Sequence, residues 1–382
     1  MTDVRIDRHR KLSAFLSSQN DVELARLVDT VQISSVGVGG AAGVIRVYDN
    51  RLNGVPVFTK RIPLSVREIA EVGSTSNHFD LPTFCQYGIG GPSFNAWREL
   101  AANIVVTDAV LAGETQSFPM LYHWRILPGR SPVAAEHADI DSVHTAGASR
   151  EVRTRLEALA AAPCSLVLFC EYIEHPISNW LEDNPSAKAA EVERQFSEIV
   201  AFLRDRQLLH MDGHFGNMRT DMERIYLTDF GLATSPPHFD LSTAEHDFVR
   251  RHATHDADYA AMLLVNWLVT EVCGGVPRPT SGGPVARNQY VRRCATGHIP
   301  GDVTPEVAAI VTRHAPVAAR MNDFYWRLFD GDFDAPYPHA APVPTSGRAQ
   351  VFPELPYSHL RFMSSSGPMC WSVPVGHSSP HD

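Results

Sequence analysis

The segment from His210 to Ala233, HMDGHFGNMRTDMERIYLTDFGLA, constrains the fold of this chain more than any other part of it. It places two aspartates, Asp212 and Asp229, on either side of a short apolar run, residues 225–227, that is typical of a β-strand. Each aspartate lies close to a glycine, as turn residues often do. The segment therefore predicts two loop carboxylates beside a small hairpin, with Asn217 between them in the sequence.

The order and spacing of these three residues suit phosphoryl transfer. Moving a γ-phosphoryl group requires mainly positioning and charge neutralisation: one carboxylate orients the acceptor hydroxyl, while a second carboxylate and an amide oxygen hold Mg²⁺. We therefore expect Asp212 to orient the acceptor, and Asn217 and Asp229 to bind the metal. Either aspartate alone could be an ordinary turn residue, but the register of all three argues against that alternative.

The same residues resemble the protein-kinase-like superfamily. Residues 210–217 match a catalytic loop of the form H-x-D-x-x-x-x-N, and residues 229–231 match the D-F-G motif that follows it. His214, two residues after Asp212, is instead similar to the aminoglycoside-phosphotransferase branch, because Ser/Thr protein kinases usually have lysine there. The resemblance implies an α+β, two-lobed fold with a small β-rich N-lobe and a larger, mainly helical C-lobe, and it implies ATP and Mg²⁺ as cofactors.

A nucleotide-binding loop is expected upstream of this segment. Residues 34–44, SSVGVGGAAGV, predict a glycine-rich turn whose backbone could approach phosphates closely, followed by a strand. Ala42 stands where the pattern G-x-G-x-x-G-x-V has its third glycine, and a plain hairpin turn is the alternative. The residues expected to contact ATP here are Gly37, Gly39, Gly40 and Val44.

Lys60 lies in the next predicted strand, at the position where the resemblance implies a lysine that pairs with phosphate. It should be held by a glutamate on a helix. Glu99, in the helical pattern of residues 93–112, is preferred to Glu68 and Glu71. An exposed strand lysine and a solvated helix glutamate are the alternatives.

An apolar strand that ends in Glu171-Tyr172-Ile173 resembles the hinge between kinase lobes. The resemblance implies that backbone groups of Glu171 and Ile173 bind adenine, although a plain buried strand would have a similar sequence. Further along, Asp258 is assigned to the aspartate that fixes the catalytic-loop backbone, with Asp256 as the alternative, since a helix N-cap would explain either.

Two other patterns complete the local predictions. His246, His252 and His255 are interpreted as part of a charged, solvated segment rather than as zinc ligands, because a site of His alone needs converging ring nitrogens and usually a fourth ligand. Two helices are predicted near the end of the globular part, at residues 304–314 and 316–329.

At 382 residues, the chain is long enough for one two-lobed enzyme with insertions and a tail. The expected organisation is an N-terminal helical extension at 1–30, an N-lobe at 31–172 with insertions at 63–92 and 128–163, a C-lobe at 173–330, and a Pro/Ser-rich tail at 331–382.

Charge and cysteine content limit the partners and the compartment. A formal net charge of −10 and a pI near 6.0 argue against nucleic acid or an anionic membrane as the main partner. The six cysteines include no C-x-x-C pair, which favours a reducing setting. The N-terminus lacks a secretory apolar core and no long apolar run occurs, so we expect a cytoplasmic protein. The sequence leaves the oligomeric state open.

The expected activity is transfer of the γ-phosphoryl group of ATP to a hydroxyl. A Ser/Thr hydroxyl of a protein or peptide is favoured by the D-F-G-L-A run and the Glu-Tyr-Ile hinge. A small-molecule acceptor, such as an antibiotic or metabolite, is favoured by His214 and by the missing A-P-E triplet. A non-catalytic ATP-binding scaffold is the third alternative, against which the intact set of Lys60, Asp212, Asn217 and Asp229 argues.

Overall fold

The computed structural model describes residues 2–37, 40–49, 52–89, 92–130, 149–274 and 284–339. These residues form an α+β protein with two antiparallel β-sheets and eleven α-helices. We refer to the described residues from 2 to 171 as the sheet region and to those from 172 to 339 as the helical region.

The larger sheet has five antiparallel strands in the order β1-β2-β3-β5-β4. Its strands are β1 (Gln32–Gly37), β2 (Gly40–Asp49), β3 (Leu52–Leu64), β4 (Leu121–Pro128) and β5 (Cys164–Glu171). A smaller sheet in the helical region consists of β6 (His175–Pro176), β7 (Met218–Thr220) and β8 (Ile225–Leu227), in that order.

Five α-helices belong to the sheet region and six to the helical region. The first group is α1 (Thr2–Ser18), α2 (Asp21–Asp29), α3 (Val66–Ala70), α4 (Ala96–Leu111) and α5 (Arg150–Ala160). The second group is α6 (Ile177–Glu182), α7 (Pro185–Asp205), α8 (Thr243–Arg251), α9 (His255–Glu271), α10 (Val285–Ala295) and α11 (Pro305–Phe329). Among the described helices, none is both long enough and apolar enough to cross a membrane.

Helix α4 packs against the larger sheet and is fixed at its start. The Asn95 side chain caps it by accepting the Trp97 N–H. Trp97 and Leu100 are buried against apolar residues of β3 and β5, which contribute Ile62, Leu64, Leu166 and Leu168. Burial of each such side chain stabilises the fold by on the order of 2 kcal/mol.

The glycine-rich turn is shorter than the sequence predicts. Strand β1 continues to Gly37 and β2 begins at Gly40, and these two residues are cross-strand partners. Gly40 has φ +115°, and a Cβ there would lie 1.9 Å from the Arg61 carbonyl oxygen, so only glycine allows β2 to approach β3 this closely. Gly39 lies outside the described residues.

The helical region packs its longest helices together, with α9 between α7 and α11. The prediction of two separate helices near the end is wrong, because α11 runs unbroken from Pro305 to Phe329 with Pro316 inside it. A proline has no backbone N–H, so it cannot donate the hydrogen bond that a helix residue normally makes to the preceding turn. Burial of the apolar stripe on both sides of it, which includes Val311, Ala315 and Ala318, keeps the helix continuous.

The segment between α3 and α4 reaches the helical region. It includes a 3₁₀ helix at Thr83–Tyr87 and a left-handed residue, Gly88, with φ +68°. A Cβ at Gly88 would lie 2.6 Å from Leu232 Cδ1. The Gln86 side chain donates to the Leu232 carbonyl at 2.5 Å, so this segment contacts the chain directly after the D-F-G motif.

Candidate active site

Lys60 joins two carboxylates that are distant in the sequence. Its Nζ lies 2.7 Å from Glu99 Oε1 and 2.8 Å from Asp229 Oδ1, across sequence separations of 39 and 169 residues. Strand β3 supplies the lysine, α4 supplies Glu99, and the loop after β8 supplies Asp229. The contacts therefore bring a strand, a helix and a loop together at one ammonium group, including the glutamate preferred from the sequence.

The smaller sheet holds Asn217 and the residue before Asp229 side by side. Met218 of β7 pairs with Leu227 of β8, and the Asn217 carbonyl accepts both the N–H and the hydroxyl of Thr228, each at 2.8 Å. This short hairpin is the structural reason why the amide and the carboxylate, far apart in the sequence, lie at the same edge of the sheet.

Asp212 and Asn217 are also in contact. Asn217 Nδ2 donates to the carboxylate and to the carbonyl of Asp212, both at 2.9 Å. Because the amide nitrogen is used in this way, the amide oxygen of Asn217 is the group left to ligate a cation. His214 Nε2 lies 3.6 Å from Asp212 Oδ1, while its Nδ1 accepts the Gly216 N–H.

His210 braces the loop from inside the core. The side chain is fully buried, its Nε2–H donates to the Thr228 carbonyl at 3.0 Å, and its Nδ1 accepts the Asp212 N–H at 3.3 Å. These bonds fix the neutral tautomer, and burial lowers the pKa of His210 below its ordinary value. The histidine thus ties the Asp212 loop to the strand that leads to Asp229, and it has no free nitrogen to act as a base.

The aspartate that fixes the loop backbone is Asp256, and the assignment to Asp258 is wrong. Asp256 accepts the His210 N–H at 2.7 Å and the Met211 N–H at 3.0 Å. Asp258 instead accepts from the hydroxyls of Thr254 and Tyr337. The two residues are about 200° apart around the first turn of α9, so only one can face the loop.

Two residues with strained backbone lie at the same place. Met211 and Asp229, which are not glycines, have φ of +67° and +65°, in the left-handed region that costs free energy for such residues. The Met211 conformation is held by its N–H bond to Asp256, and that of Asp229 by the Gly231 N–H, which donates to Oδ1 at 3.1 Å. The strain therefore fixes how the two loops present Asp212 and Asp229.

The charges of the site do not balance. Burial raises the pKa of Glu99 to about 7 and the nearby Asp229 charge adds to this effect, while Lys60 opposes it. Burial and then repulsion from Asp229 also raise the pKa of Asp212, against the opposing effect of His214. Burial would lower the pKa of Lys60, but its two carboxylate neighbours raise it well above its usual range.

The excess of negative charge suits a divalent cation. No group of three or more His, Cys, Asp or Glu side chains placed to hold a metal occurs in the described part of the chain. Mg²⁺ does not require one, since it is commonly bound by one or two protein oxygens together with waters and substrate phosphates. The Asp229 carboxylate and the Asn217 amide oxygen fit that requirement.

The remaining predicted nucleotide residues lie along the larger sheet. Gly37 and Gly40 end β1 and begin β2, and Val44 pairs with Phe58 of β3. Ala42 is the cross-strand partner of Lys60, which places the glycine-rich hairpin directly beside the lysine.

Some backbone groups of the predicted hinge residues, Glu171 and Ile173, already form hydrogen bonds within the protein. The Glu171 N–H donates to the Met120 carbonyl at 2.8 Å, so this group is not free for a ligand. The Ile173 carbonyl accepts from Arg219 Nε at 3.2 Å. Among the described residues the Ile173 N–H has no acceptor, so it is the hinge group that adenine could use.

The histidine segment is not a solvated surface as predicted. His252 and His255 are buried, and only His246 is exposed. His252 Nδ1–H donates to the Phe248 carbonyl and Nε2 accepts the Tyr87 hydroxyl, while His255 bonds Tyr325 and Asp256. Neighbouring aromatic rings exclude water from both, which composition alone could not show.

Two buried ion pairs around the site were not predicted. Arg5 of α1 makes a bidentate contact with Glu171, with distances of 3.0 Å and 2.6 Å. Arg98 of α4 contacts Glu245 of α8 at 2.6 Å. The partners lie 166 and 147 residues apart, so no local pattern could have indicated either pair.

No protein-family model matches this chain, and no characterised protein is significantly similar to it.

Proposed function

We propose that this protein is an ATP-dependent phosphotransferase with a two-lobed, protein-kinase-like fold, in which the sheet region is the N-lobe and the helical region the C-lobe. The observation that carries the proposal is the contact of Lys60 Nζ with both Glu99 and Asp229 at 2.7 Å and 2.8 Å. A lysine held by a helix glutamate and placed against a metal-binding aspartate is the arrangement that protein kinases require for turnover.

Each residue then has a defined task. Lys60, kept in place by Glu99, neutralises α/β-phosphate oxygens of ATP beneath the β1–β2 hairpin. Asp229 and Asn217 hold Mg²⁺, which supplies charge stabilisation to the transferring phosphoryl group when bound. Asp212 accepts a hydrogen bond from the acceptor hydroxyl and orients it for in-line attack on the γ-phosphorus.

The raised pKa of Asp212 supports this task. A carboxylate that is harder to ionise than usual is a better proton acceptor near neutral pH, and the direction of its shift is set by burial and by Asp229. His214 contacts the same carboxylate and offsets part of that effect.

The proposed acceptor is a Ser/Thr hydroxyl of a protein or peptide. A small-molecule acceptor is the second candidate, and the position of His214 within 3.6 Å of Asp212 favours it, since that residue is the feature shared with small-molecule phosphotransferases. An assay with labelled ATP would separate the two, comparing autophosphorylation and a peptide pool with a panel of hydroxylated metabolites.

Single substitutions test the reaction itself. Asp212→Asn and Asp229→Asn should each reduce turnover of ATP by about a thousandfold or more, because each removes a charge that acts on the reacting groups. Asp212→Asn should leave Mg-ATP binding near its normal level when measured by calorimetric titration, whereas Asp229→Asn should weaken it.

Asp221→Asn is a matched control. Asp221 lies in the same hairpin, but its carboxylate bonds the Glu223 and Arg224 N–H groups and the Tyr226 hydroxyl. Its replacement should leave turnover largely unchanged. Normal ATP consumption by both the Asp212 and the Asp229 variants would show that the assignment is wrong.

A further inference from the structure

Arg98 follows directly before Glu99 in the sequence and is almost completely buried, with 1% of its surface exposed. Its Nη1 lies 2.6 Å from Glu245 Oε1, and its Nε donates to the Thr75 carbonyl at 2.6 Å. The rings of Phe94 and Phe239 lie against the guanidinium. This side chain therefore leaves α4 in the sheet region and ends on α8 in the helical region.

Glu245 is held as firmly as its partner. It is 4% exposed at its side chain and lies in the first turn of α8, where its Oε2 accepts the N–H and the hydroxyl of Ser242 in a capping box. Both carboxylate oxygens are thus in use. Besides the arginine, the start of the helix therefore helps to fix the position of this charge.

The chain between Asp229 and α8 is bonded to both regions, first to the helical region and then to the sheet region. Thr234 and Leu209 exchange two backbone hydrogen bonds at 2.9 Å, and the Ser235 hydroxyl donates to the Gln207 carbonyl. Asp240 N–H donates to the Thr75 hydroxyl at 2.7 Å. The backbone that leads from Asp229 to Glu245 is therefore held at several points along its length.

Another buried ion pair fixes the start of α4 within the sheet region. Arg155 of α5 contacts both oxygens of Glu68, and Glu68 Oε1 also accepts the Ala96 N–H at the first turn of α4. Arg155 and Glu68 belong to the two segments that the sequence identifies as insertions. The beginning of α4 is therefore anchored on one side by the insertions and on the other by α8.

We propose that Arg98 and Glu245 are positioning residues, which hold α4 in the one orientation where Glu99 reaches Lys60. A buried charge cannot leave its partner without remaining unpaired in a medium that does not solvate it. The site is consequently assembled before ATP or an acceptor binds, and it needs no phosphorylation of the chain between Asp229 and α8. This inference rests on the proposed function, because it assigns the Lys60–Glu99 contact a role in turnover.

The test separates positioning from simple stabilisation. Arg98→Met and Glu245→Gln each leave one polar partner buried without its counterpart, so both should lower the midpoint of urea unfolding. The double variant removes both charges and should regain much of that stability. If the pair positions α4, the double variant should still have kcat/KM for ATP reduced by at least about tenfold, since the helix has lost its anchor on α8.

Hydrogen exchange gives a readout that does not depend on activity. Amides of α4 should exchange faster in the double variant than in the unaltered protein, without any nucleotide present. Asn322→Ala is the control for lost stability, since it breaks a buried reciprocal hydrogen-bond pair with Asn266 between α9 and α11. It should lower stability without altering kcat/KM or the exchange of α4.

Three results would overturn the inference. They are unchanged kcat/KM in the double variant, unchanged α4 exchange in that variant, and loss of activity when the purified protein is treated with a phosphatase. Absence of turnover in the unaltered protein would contradict the proposed function instead, and the exchange measurement would still decide whether Arg98 and Glu245 hold α4.

Discussion

Lys60 is the only cationic side chain within hydrogen-bond distance of Asp229 or Glu99 among the described residues. One ammonium group therefore serves two carboxylates, with the Asp212 carboxylate near enough for its pKa to respond to Asp229. A divalent cation on Asp229 would relieve this repulsion and leave Lys60 free to contact phosphate oxygens. The charge imbalance is a reason to expect that metal and nucleotide bind together.

The backbone of the Asp212 loop depends on Asp256. Asp256→Asn replaces one acceptor oxygen with an amide N–H that faces the backbone donors of His210 and Met211. We expect a loss of about 1 to 3 kcal/mol in stability and a fall in kcat of about tenfold to a hundredfold, since Asp212 would be displaced. Urea unfolding and steady-state ATP turnover measure the two effects.

Asp258→Asn is the matched control on the same helix turn. Its carboxylate contacts Thr254 and Tyr337 rather than the loop, so turnover should stay within about twofold of the unaltered protein. A larger loss of turnover in the Asp258 variant than in the Asp256 variant would mean that Asp258, and not Asp256, holds the Asp212 loop.

The residues that the sequence identified correctly as neighbours have local causes. Asp212 and Asn217 are joined within one loop, and a three-residue strand pairing brings Asp229 alongside, so spacing carried the information. The choice between Asp256 and Asp258 could not be made that way. Both lie in the first turn of α9, and only the direction of the loop packed against that turn decides which one contacts it.

Helix α1 connects the end of β5 to β8, the strand before the D-F-G motif. Arg5 contacts Glu171, donates to the Phe118 carbonyl at 2.9 Å, and lies over the ring of Tyr226 in β8. Strand β5 belongs to the sheet region and β8 to the helical region. The N-terminal helix therefore links the two regions on the side of the hinge.

Removal of the Arg5 side chain should strongly lower the stability of the fold. Arg5→Met leaves the Glu171 carboxylate buried without its ion-pair partner, for which we expect a loss of about 3 to 5 kcal/mol in the free energy of unfolding. Arg5→Met combined with Glu171→Gln should recover most of that loss. Both values come from urea unfolding followed by circular dichroism.

A partly exposed ion pair nearby provides the comparison. Arg125 of β4 contacts Asp21 of α2 at 3.1 Å, with 32% and 61% of the two side chains exposed. Arg125→Met should change stability by less than about 1 kcal/mol. Equal losses of stability in the Arg5 and Arg125 variants would mean that the buried pair of Arg5 stabilises the fold no more than the exposed pair does.

Prediction of elements succeeded where one rule governed a segment and failed where two rules competed. The apolar periodicity of residues 93–112 indicated the helix that contains α4, and the tertiary packing of α4 agrees with it. At Pro316 the local rule predicts a break, but the buried stripe of α11 outweighs one missing hydrogen bond. Whether the missing hydrogen bond or the burial of the stripe is the larger effect depends on packing partners that the sequence does not identify.

For the molecule as a whole, the aromatic and histidine cluster in the helical region joins distant parts of the chain. His252 bonds Tyr87 from the segment before α4, and its ring stacks on Phe248 at a centroid distance of 3.9 Å. Tyr337, near the end of the described residues, packs against the same ring. Protonation of His252 would therefore disturb contacts among α8, the Tyr87 segment and the C-terminal part.

Acid should unfold the protein partly through this residue. Burial lowers the pKa of His252 to about 3 from an ordinary value of 6.5, so below pH 6.5 the unfolded state takes up a proton that the folded state does not. Its contribution to stability is complete above pH 6.5 and is lost as the pH falls toward 3, at up to about 1.4 kcal/mol per pH unit. Urea unfolding at about pH 7 and about pH 5 measures the slope.

His252→Gln keeps a hydrogen-bond donor and an acceptor but cannot titrate. Its stability should fall less steeply between the two pH values, even if it is lower at neutral pH. Parallel pH dependence in the variant and the unaltered protein would assign acid unfolding to other groups, such as His210, whose pKa burial also lowers.

The α+β class could be predicted from the sequence, because the resemblance of residues 210–231 to protein kinases implies it, and the described residues confirm it. The role of the two predicted insertions could not be predicted in this way. Glu68, Arg98 and Arg155 look like ordinary charged helix residues, and their burial depends on the meeting of α3, α4, α5 and α8. Long-range pairing of charged residues has no periodic signature.

The close approach of Gly88 to Leu232 limits which residues can occupy either position. Because the left-handed glycine leaves only enough room for the leucine side chain, a larger residue at 88 would push on the chain that continues from the D-F-G motif. Among descendants of a common ancestor, the two positions should vary in concert, with bulk gained at one matched by bulk lost at the other. The segment between α3 and α4 would then change together with the D-F-G motif, although it lies far from that motif in the sequence.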